Sequence, residues 1–292
     1  MSVSSFARLE SRSLLRLSGK DAEQLLQNIV TNDLDLLKAN RAIFSALLTP
    51  QGKFLHDFFV IKDGDIFYLD VLKERQADLA RRLTMYKLRA DVSIEDASGE
   101  YSVIALFSEE TPLPEMPNAE GLIAFEDPRL KELGIRMLVP ASATLASVVN
   151  NASEANEELY IQHRLKLGVP EGGLDIEPEK NFLLEVNFEE LNAISFSKGC
   201  YIGQELTART KHRAKIRKRL FRFKSNTDLT IGDSIKVGEK EIAKVQSFQA
   251  PYGLAMTRLD ALDLISSEPA NLTPSDIQLE KPDYVILPET TD

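Results

Sequence analysis

The stretch Ser195-Phe196-Ser197-Lys198-Gly199-Cys200-Tyr201-Ile202-Gly203-Gln204-Glu205 is polar and rich in glycine, and it holds the only cysteine of the 292-residue chain. Glycine is tolerated at a helix N-cap and an early acid suits the positive helix end, so we expect a helix to begin at Gln204. Cys200 would then lie one turn before that helix, with the ammonium of Lys198 nearby. Both features favour the thiolate, the reactive and metal-ligating form of cysteine. The alternative is that Cys200 packs as a small buried hydrophobe, as free cysteines often do.

This stretch also carries a family resemblance. Lys198-Gly199-Cys200-Tyr201-Ile202-Gly203-Gln204-Glu205 resembles the hallmark motif of the YgfZ family, and Thr207-Ala208-Arg209 continues the match. Members of that family bind folate and are implicated in iron-sulfur cluster assembly and tRNA modification. The family is similar in turn to the aminomethyltransferase, or T-protein, of the glycine cleavage system. The resemblance implies an α+β fold, in which a T-protein-like folate-binding body of interleaved subdomains is followed by a C-terminal antiparallel β-barrel.

The composition is that of a globular protein with sizeable cores. Hydrophobic residues make up 43% of the chain, and 292 residues are more than one core usually supports. A single cysteine excludes an internal disulfide and a cysteine-only metal site, and it favours a reducing compartment. The polar start of the chain and the lack of a long apolar run predict neither a signal peptide nor a membrane span. We therefore expect a cytoplasmic protein, or one of the mitochondrial matrix if the source is eukaryotic.

The hydrophobic pattern predicts a division of the chain near Lys215. Before this point, short strands interrupted by amphipathic helices indicate a mostly antiparallel sheet with helices on one face. After it, short apolar runs separated by glycine and proline turns are typical of a small antiparallel barrel. The predicted parts are 1–214, a folate-binding region with an inner subdomain at about 99–150, and 215–292, the barrel with an acidic tail.

Three local predictions follow from the same pattern. Phe54–Ile61 and Ile66–Val71 should form a hairpin, because turn residues separate these two apolar runs. Ser153 should cap a helix that runs to about Leu167. In the C-terminal tail we expect a strand at Tyr284–Leu287 and little other order.

Asp57 is the first candidate site residue outside the cysteine motif. In the run from Phe54 to Val60, strand alternation places His56 on one face and Asp57 on the other, so one of them should point among apolar side chains. A buried carboxylate needs a cation, strong hydrogen-bond donors or a raised pKa. The alternative is that Asp57 is solvated or accepts hydrogen bonds from the Thr49–Gly52 turn. By resemblance, Asp57 matches the T-protein carboxylate that faces the reactive end of the folate.

The resemblance also implies which residues react and which bind folate. Reactive roles fall to Cys200, Lys198 and Asp57. Arg164 and Glu185 lie where relatives place pterin-pocket residues, although each could equally be a surface residue. The predicted folate-binding set is Asp57, Arg164, Glu185, Lys198, Tyr201, Gln204 and Glu205. The chain lacks the glycine-rich Tyr-Thr-Gly-Glu segment with which the T-protein holds its pterin, and the matching region is near Arg136-Met137-Leu138-Val139.

A basic run stands out in a chain whose formal net charge is -10. Nine Lys or Arg and no acid lie between Arg209 and Lys224. On an extended strand, alternate positions would place six cations on one face, whereas on a helix they would spread around the axis. The run is either an edge strand protected by charge or an anion-binding strip. Such a strip could hold a polyglutamyl folate tail, tRNA or an acidic partner protein.

Together these residues predict a folate-binding accessory factor for iron-sulfur cluster assembly or repair, with tetrahydrofolate or a derivative as cofactor. Cys200 would ligate a cluster transiently. One thiolate cannot hold a cluster alone, so the cluster would be shared with an iron-sulfur carrier or target protein, or with a second chain. One alternative is a tetrahydrofolate-dependent aminomethyl- or methyltransferase. The other is a tRNA-modification accessory protein that binds RNA through the basic run.

Overall fold

The structure is a computed structural model that describes residues 4–39, 41–108, 114–149, 152–213, 216–267 and 271–287. The strands are β1 (Ser4–Arg8), β2 (Arg12–Ser18), β3 (Ala42–Leu48), β4 (Phe54–Asp63), β5 (Ile66–Leu72), β6 (Ser93–Asp96), β7 (Tyr101–Phe107), β8 (Ile123–Glu126), β9 (Ile135–Pro140), β10 (Ala152–Ala155), β11 (Lys218–Lys224), β12 (Ser234–Val237), β13 (Lys240–Gln249), β14 (Tyr252–Arg258), β15 (Leu272–Thr273) and β16 (Gln278–Glu280). The α-helices are α1 (Ala22–Ile29), α2 (Lys73–Lys87), α3 (Leu145–Val148), α4 (Glu157–Leu167), α5 (Gln204–Arg213) and α6 (Leu262–Ser267).

Two five-stranded sheets form the body of the molecule. Sheet A has the strand order β10-β1-β7-β9-β8, and sheet B has the order β3-β4-β5-β2-β6. Neighbouring strands are antiparallel, except for the parallel pair β1 and β10. Sheet A therefore joins the first strand of the chain to strands that fall largely within the predicted inner subdomain.

Sheet B is buried on both faces, which explains why its central strands are almost continuously apolar. One face packs under α1 and α2, through side chains such as Leu26, Leu79 and Leu83. The other face packs into the main core, where Phe44 lies between the rings of Phe59 and Phe188 with centroids 5.2 Å away on each side. A polar side chain on either face of this sheet must therefore find a partner inside the protein.

The hairpin prediction is confirmed, because β4 and β5 pair in antiparallel register. The prediction for the fourth helix is wrong at its start. Ser153 lies in β10, paired with Ser5 of β1, and the helix cap is Asn156, whose side chain accepts a hydrogen bond from Leu159 N. A partner strand nearly 150 residues away in sequence thus takes Ser153 out of the helix.

The C-terminal part is a six-stranded antiparallel sheet of order β15-β12-β13-β14-β11-β16, curled around its own apolar core. The predicted strand at Tyr284–Leu287 is wrong, and so is the expectation of little other order after Ser266, because β15 and β16 lie in the tail. Val285 N donates to Pro282 O, and the Val285 side chain is buried. Val285 therefore packs within a turn, whereas Ile286 is exposed. The boundary residue Lys215 lies outside the described residues.

Candidate functional site

Cys200 is exposed in the turn that leads into α5, and this helix begins at Gln204 as expected. The alternative of a buried cysteine is therefore wrong. The turn depends on Gly203, whose φ of +81° is in the left-handed region. A Cβ on Gly203 would lie 2.7 Å from Thr49 O and 3.0 Å from Gly52 Cα. The turn that carries the thiol thus presses closely against the turn between β3 and β4.

Lys198 anchors this loop to the body. Its Nζ donates to three backbone carbonyl oxygens in the last turn of α1 and just after it, those of Gln27 at 2.7 Å, Val30 at 2.8 Å and Asn32 at 2.7 Å. Burial lowers the pKa of Lys198 to about 8, and the negative charge of Asp33 opposes that shift. The ammonium is thus held by the main chain. The reactive role predicted for Lys198 stays a prediction.

Thr31 and Asn32 hold the same region in place, a role that the sequence pattern did not predict. The hydroxyl of Thr31 donates to Ala193 O, and Ser195 N donates to Thr31 O. The side-chain amide of Asn32 donates to Phe44 O and Asn192 O. Both side chains are buried, so the segment before the cysteine is tied to the start of sheet B. The available signal was the polar pair Thr31-Asn32 shortly after the amphipathic helix α1.

The remaining motif residues line the start of α5. Tyr201 is buried in the main core, and burial raises its pKa to about 12. Gln204 and Glu205 form the first turn of the helix, where Glu205 is exposed. These side chains surround the base of the cysteine turn. Their predicted contact with folate stays a prediction.

Strand β4 buries both His56 and Asp57, so the prediction that one of them would point among apolar side chains holds for both, because sheet B is covered on both faces. The pairing with β3 slips at this point, where Leu47 opposes His56 and Leu48 opposes Phe54. This β-bulge changes the face of the sheet that Leu55, the residue before His56, occupies. His56 Nε2 lies 2.9 Å from Asp78 Oδ2 on α2, on the helix side of sheet B.

Asp57 points to the opposite side, towards the loop after α4. Its Oδ2 accepts a hydrogen bond of 3.1 Å from Gly172 N, not from the Thr49–Gly52 turn considered as an alternative. Burial raises the pKa of Asp57; the charge of Arg12 opposes this shift and that of Glu171 adds to it. A Cβ on Gly172 would lie 2.3 Å from Asp57 Oδ1 and 2.2 Å from Phe54 Cζ. The loop approaches Asp57 this closely only because residue 172 is glycine.

Asp57 borders a buried chain of alternating charges, here called the ion network. Its eight members, in order of contact, are Arg129, Asp127, Arg136, Asp70, Arg12, Glu171, Arg164 and Asp175. Each is at most 8% exposed. Burial acts to raise the pKa of Glu171, but the charges of Arg12 and Arg164 outweigh it and hold that pKa at about 2. Every charge in the network has an opposite neighbour, which offsets the cost of removing these groups from water.

The ion network joins separate parts of the fold. Asp70 on β5 of sheet B contacts Arg12 Nε at 2.7 Å and Arg136 Nε of sheet A at 2.5 Å. Arg12 also contacts Glu171 in the loop after α4. The guanidinium carbon of Arg136 lies 4.3 Å from the centroid of the Phe59 ring, within the range of a cation-π contact.

The predicted site residues fall into separate groups. Asp57 and Arg164 lie at the ion network, where Arg164 Nη1 contacts Asp175 Oδ2. Lys198, Cys200, Tyr201, Gln204 and Glu205 lie at the cysteine turn and α5. The five steps along the chain from Gly52 to Asp57 span at most roughly 17 Å when the chain is extended. Strand β4 therefore leads from the cysteine turn towards the ion network.

Glu185 belongs to neither group. Its carboxylate accepts a hydrogen bond of 2.9 Å from Phe182 N and so caps the short 3₁₀ helix Leu183–Val186. Lys218 Nζ lies 3.7 Å from the same carboxylate. These contacts give Glu185 a structural role at the junction with β11. Its predicted role in binding folate stays a prediction.

The basic run does not form one extended face, so that alternative is wrong. Its first part lies on α5 and its last part on β11, while residues 214 and 215 lie outside the described residues. Lys211 is paired with Glu189, and the buried Arg219 is paired with Glu190. The cations on α5 are spread around the helix, and Lys211 and Arg219 are held in local ion pairs. A partner for the run, whether tRNA or an acidic protein, stays a prediction.

Comparison with known proteins identifies the family. Residues 6–107 match the GCVT N-terminal domain, and residues 217–285 match the CAF17 C-terminal beta-barrel domain. The mitochondrial iron-sulfur cluster assembly factor IBA57 of Homo sapiens is 33% identical over 279 residues, covering 85% of this chain and 76% of the human protein. The chain belongs to the IBA57 family. The IBA57 relative of Mus musculus is 31% identical, covering 87% of this chain and 78% of its own length.

Fungal members of the IBA57 family are longer. The Neurospora crassa homologue is 31% identical over 236 residues, which cover 73% of this chain and 52% of the homologue. The chain thus spans about half the length of that relative. The names of these IBA57 proteins place them in mitochondria. Within the part of the chain that the structure describes, no helix is long and apolar enough to cross a membrane.

The fold has a known counterpart outside the IBA57 family. The crystal structure of the glycine cleavage system aminomethyltransferase T from Bartonella henselae superimposes with a TM-score of 0.70, covering 89% of this chain and 79% of that one. Sequence identity is 14%, so this likeness concerns the fold alone. The predicted fold class, a T-protein-like body with a C-terminal barrel, is confirmed. The narrower resemblance to YgfZ stays a prediction.

The contact between Gly172 and Asp57 predicts different outcomes for two glycine substitutions. Gly172→Ala should destabilise the protein by about 1 to 3 kcal/mol, because the new Cβ overlaps Phe54 and Asp57. The matched change Gly199→Ala, beside Cys200, should alter stability by less than about 0.5 kcal/mol, because its Cβ would meet no atom within 4 Å. Urea unfolding followed by circular dichroism measures both. Equal unfolding midpoints for the two variants would contradict the close approach.

His56 predicts a pH dependence of stability. Burial, aided by the positive charge of Arg75, lowers the pKa of His56 from 6.5 to about 4. The unfolded chain therefore binds more protons between these values, and stability falls as the pH drops from about 6.5 towards 4. In His56→Gln this contribution, at most about 3 kcal/mol, should be missing. Urea unfolding of both proteins across this range tests the prediction, and parallel pH profiles would disprove it.

Proposed function

We propose that this protein assists the assembly of iron-sulfur clusters on partner proteins, with Cys200 supplying one thiolate to the cluster. The observation that carries the proposal is the placement of this exposed cysteine on a turn held rigidly by Gly203 and Lys198. A fixed turn presents the sulfur in one position and at little cost in conformational entropy. The role named for the IBA57 relatives agrees with this use of the thiol.

The cluster in this proposal is cargo shared with a second protein. Iron-sulfur clusters are usually held by four cysteine thiolates, and this chain has one cysteine. Within the described residues, no group of three or more His, Cys, Asp or Glu could hold a metal ion. The remaining ligands therefore come from a carrier or target protein that docks over the cysteine turn. The N-terminal end of α5, with its partial positive charge, favours the negative charge of such an assembly.

We also propose that the body binds a reduced folate beside Asp57. Among the described residues, Asp57 is the buried carboxyl at the ion network without an arginine in ion-pair contact, so it remains free to accept hydrogen bonds from a ligand. The aromatic ring of Phe59 lies nearby, tilted by 44° from that of Phe44, with the guanidinium groups of Arg129 and Arg136 over it. A pterin, which is flat and rich in N–H donors, fits this combination. When bound, tetrahydrofolate supplies one-carbon chemistry.

The residues agree better with a protein that binds folate than with one that also transfers an aminomethyl group. The T-protein holds its pterin with an acid, and the matching region here presents Arg136, which is committed to Asp70 and Asp127. The side chain that would grip the pterin from that side is therefore positively charged and already paired. Folate would act here as a bound ligand that fills and orders the body.

The role of Cys200 can be tested in cells that carry the substitution in their own copy of the gene. Cys200→Ala should reduce the activity of iron-sulfur enzymes by at least about 10-fold, because the cluster loses a ligand whose loss no other cysteine can replace. The matched variant Ser197→Ala, an exposed residue of the same loop, should have no effect. Enzymes without clusters serve as the reference. Normal iron-sulfur enzyme activity in Cys200→Ala cells, at normal protein level, would rule out the proposed role.

The folate site can be tested separately by calorimetry with tetrahydrofolate. Asp57→Asn should weaken binding by about 10-fold, because a hydrogen bond to a charged group contributes about 1.5 to 3 kcal/mol. Asp65→Asn in the exposed turn between β4 and β5 is the matched control, and Cys200→Ala should bind like the wild type. Unfolding midpoints verify that the variants fold. A wild-type protein that gives no binding heat, or an Asp57→Asn variant that binds normally, would refute the folate proposal alone.

A further inference from the structure

A cavity of about 220 Å³ lies where the end of α4 meets the barrel, away from the cysteine turn and Asp57. It is lined by Lys166, Arg222, Phe223, Lys224, Tyr252, Gln278 and Glu280. Lys166 comes from the last turn of α4, and the other residues come from β11, β14 and β16. The cavity is thus built by elements from both parts of the chain.

The strand register explains how cations come together here. Lys224 on β11 lies between Tyr252 on β14 and Gln278 on β16. Arg222 lies two residues earlier, with Glu280 beside it. Side chains two residues apart share one face of a strand, whereas Phe223 between them packs into the barrel core. Arg222 and Lys224 therefore stand side by side on the face turned to α4.

The guanidinium of Arg222 is fixed in place. Its Nε and Nη2 donate to Glu280 Oε2 at 3.3 and 3.1 Å, and its Nη1 donates to Lys166 O at 3.3 Å. By contrast, the ammonium of Lys224 has no ion-pair partner among the described residues. Three cations and one carboxylate line the cavity, and Asp283 beside it lies 3.7 Å from Arg222 Nη2, so the local charge is 3 − 2 = +1 on a chain of net charge -10. Such a local excess of positive charge attracts anions.

We propose that this cavity binds a small oxyanion, either a phosphate or a carboxylate group, between Lys224 and Arg222. A volume of about 220 Å³ is below the roughly 300 to 1,000 Å³ of pockets for drug-sized ligands, so a whole folate or nucleotide does not fit. Arginine suits the geometry of both oxyanions, and lysine adds a mobile positive charge. The amide of Gln278 supplies a neutral donor, and the ring of Tyr252 closes one side.

The site has a structural consequence, because its ligand bridges α4 and the barrel. Near the cavity, Tyr284 Oη donates to Gly168 O at 2.6 Å, and Pro282 packs against Gly168. An anion held by Arg222 and Lys224 would add to this contact, because Arg222 Nη1 also donates to Lys166 O on α4. A ligand that binds only the folded state raises the unfolding midpoint, so binding and stabilisation should appear together.

The test is a calorimetric and thermal-unfolding titration of the full chain with sodium phosphate and, separately, with sodium succinate, against sodium chloride at equal ionic strength. Lys224→Glu should weaken anion binding roughly 5- to 20-fold, because it reverses one charge at the cavity. Glu280→Gln should strengthen binding roughly 2- to 5-fold, because it removes the competing carboxylate. Lys244→Glu makes the same charge reversal on an exposed residue of β13 and should leave binding unchanged.

The outcomes distinguish the source of the oxyanion. Saturable binding of phosphate alone identifies a phosphorylated ligand, and saturable binding of succinate alone identifies a carboxylate ligand. The proposal is overturned if neither anion binds at millimolar concentration, or if chloride stabilises the protein equally. It is also overturned if Lys244→Glu weakens binding as much as Lys224→Glu. The anion would then be attracted by the overall charge of the barrel and not by Lys224 at the cavity. None of these results depends on Cys200 or Asp57.

Discussion

The ion pair between Arg12 and Asp70 is the contact on which the body of this protein depends. It lies at the centre of a buried row of alternating charges that links sheet A, sheet B and the loop after α4. Charges removed from water are expensive, and only good pairing offsets that cost. Removing one member would leave its neighbour buried and uncompensated, at about 3 to 5 kcal/mol. The relative placement of the two sheets is therefore tightly specified, because few arrangements satisfy all eight groups.

The fold could be predicted from local patterns wherever the pairing partners are close in sequence. The hairpin of β4 and β5 and the strands β11 to β14 all follow from alternation and turn residues. Predictions failed where a distant partner decided the outcome. Ser153 has good capping chemistry, yet β1 draws it into a parallel strand. The apolar residues around Val285 resemble a strand, but Val285 is buried within a turn and Ile286 stays exposed.

The site was predictable to the extent that it rests on short-range chemistry. Glycines around Cys200 and an acid after Gly203 were enough to predict an exposed turn before a helix. The ion network was missed, because its members are spread over more than 160 residues and each looks like an isolated charge. Asp70 and Arg136 each interrupt an apolar strand, and that was the available signal. The bulge in β4 was also missed, since one extra residue leaves no mark in the composition.

The odd number of carboxyl groups around the ion network has a further consequence. Four arginines face five buried acids, so one acid, Asp57, retains a proton more readily than an ordinary aspartate does. A guest that donates hydrogen bonds to Asp57 would favour its ionised form and expel this proton into the solvent. Its apparent affinity would then rise with pH through the titration of Asp57, and the heat of association would vary with the ionisation enthalpy of the buffer. The interior would in this way couple occupancy of the body to the acidity of its compartment.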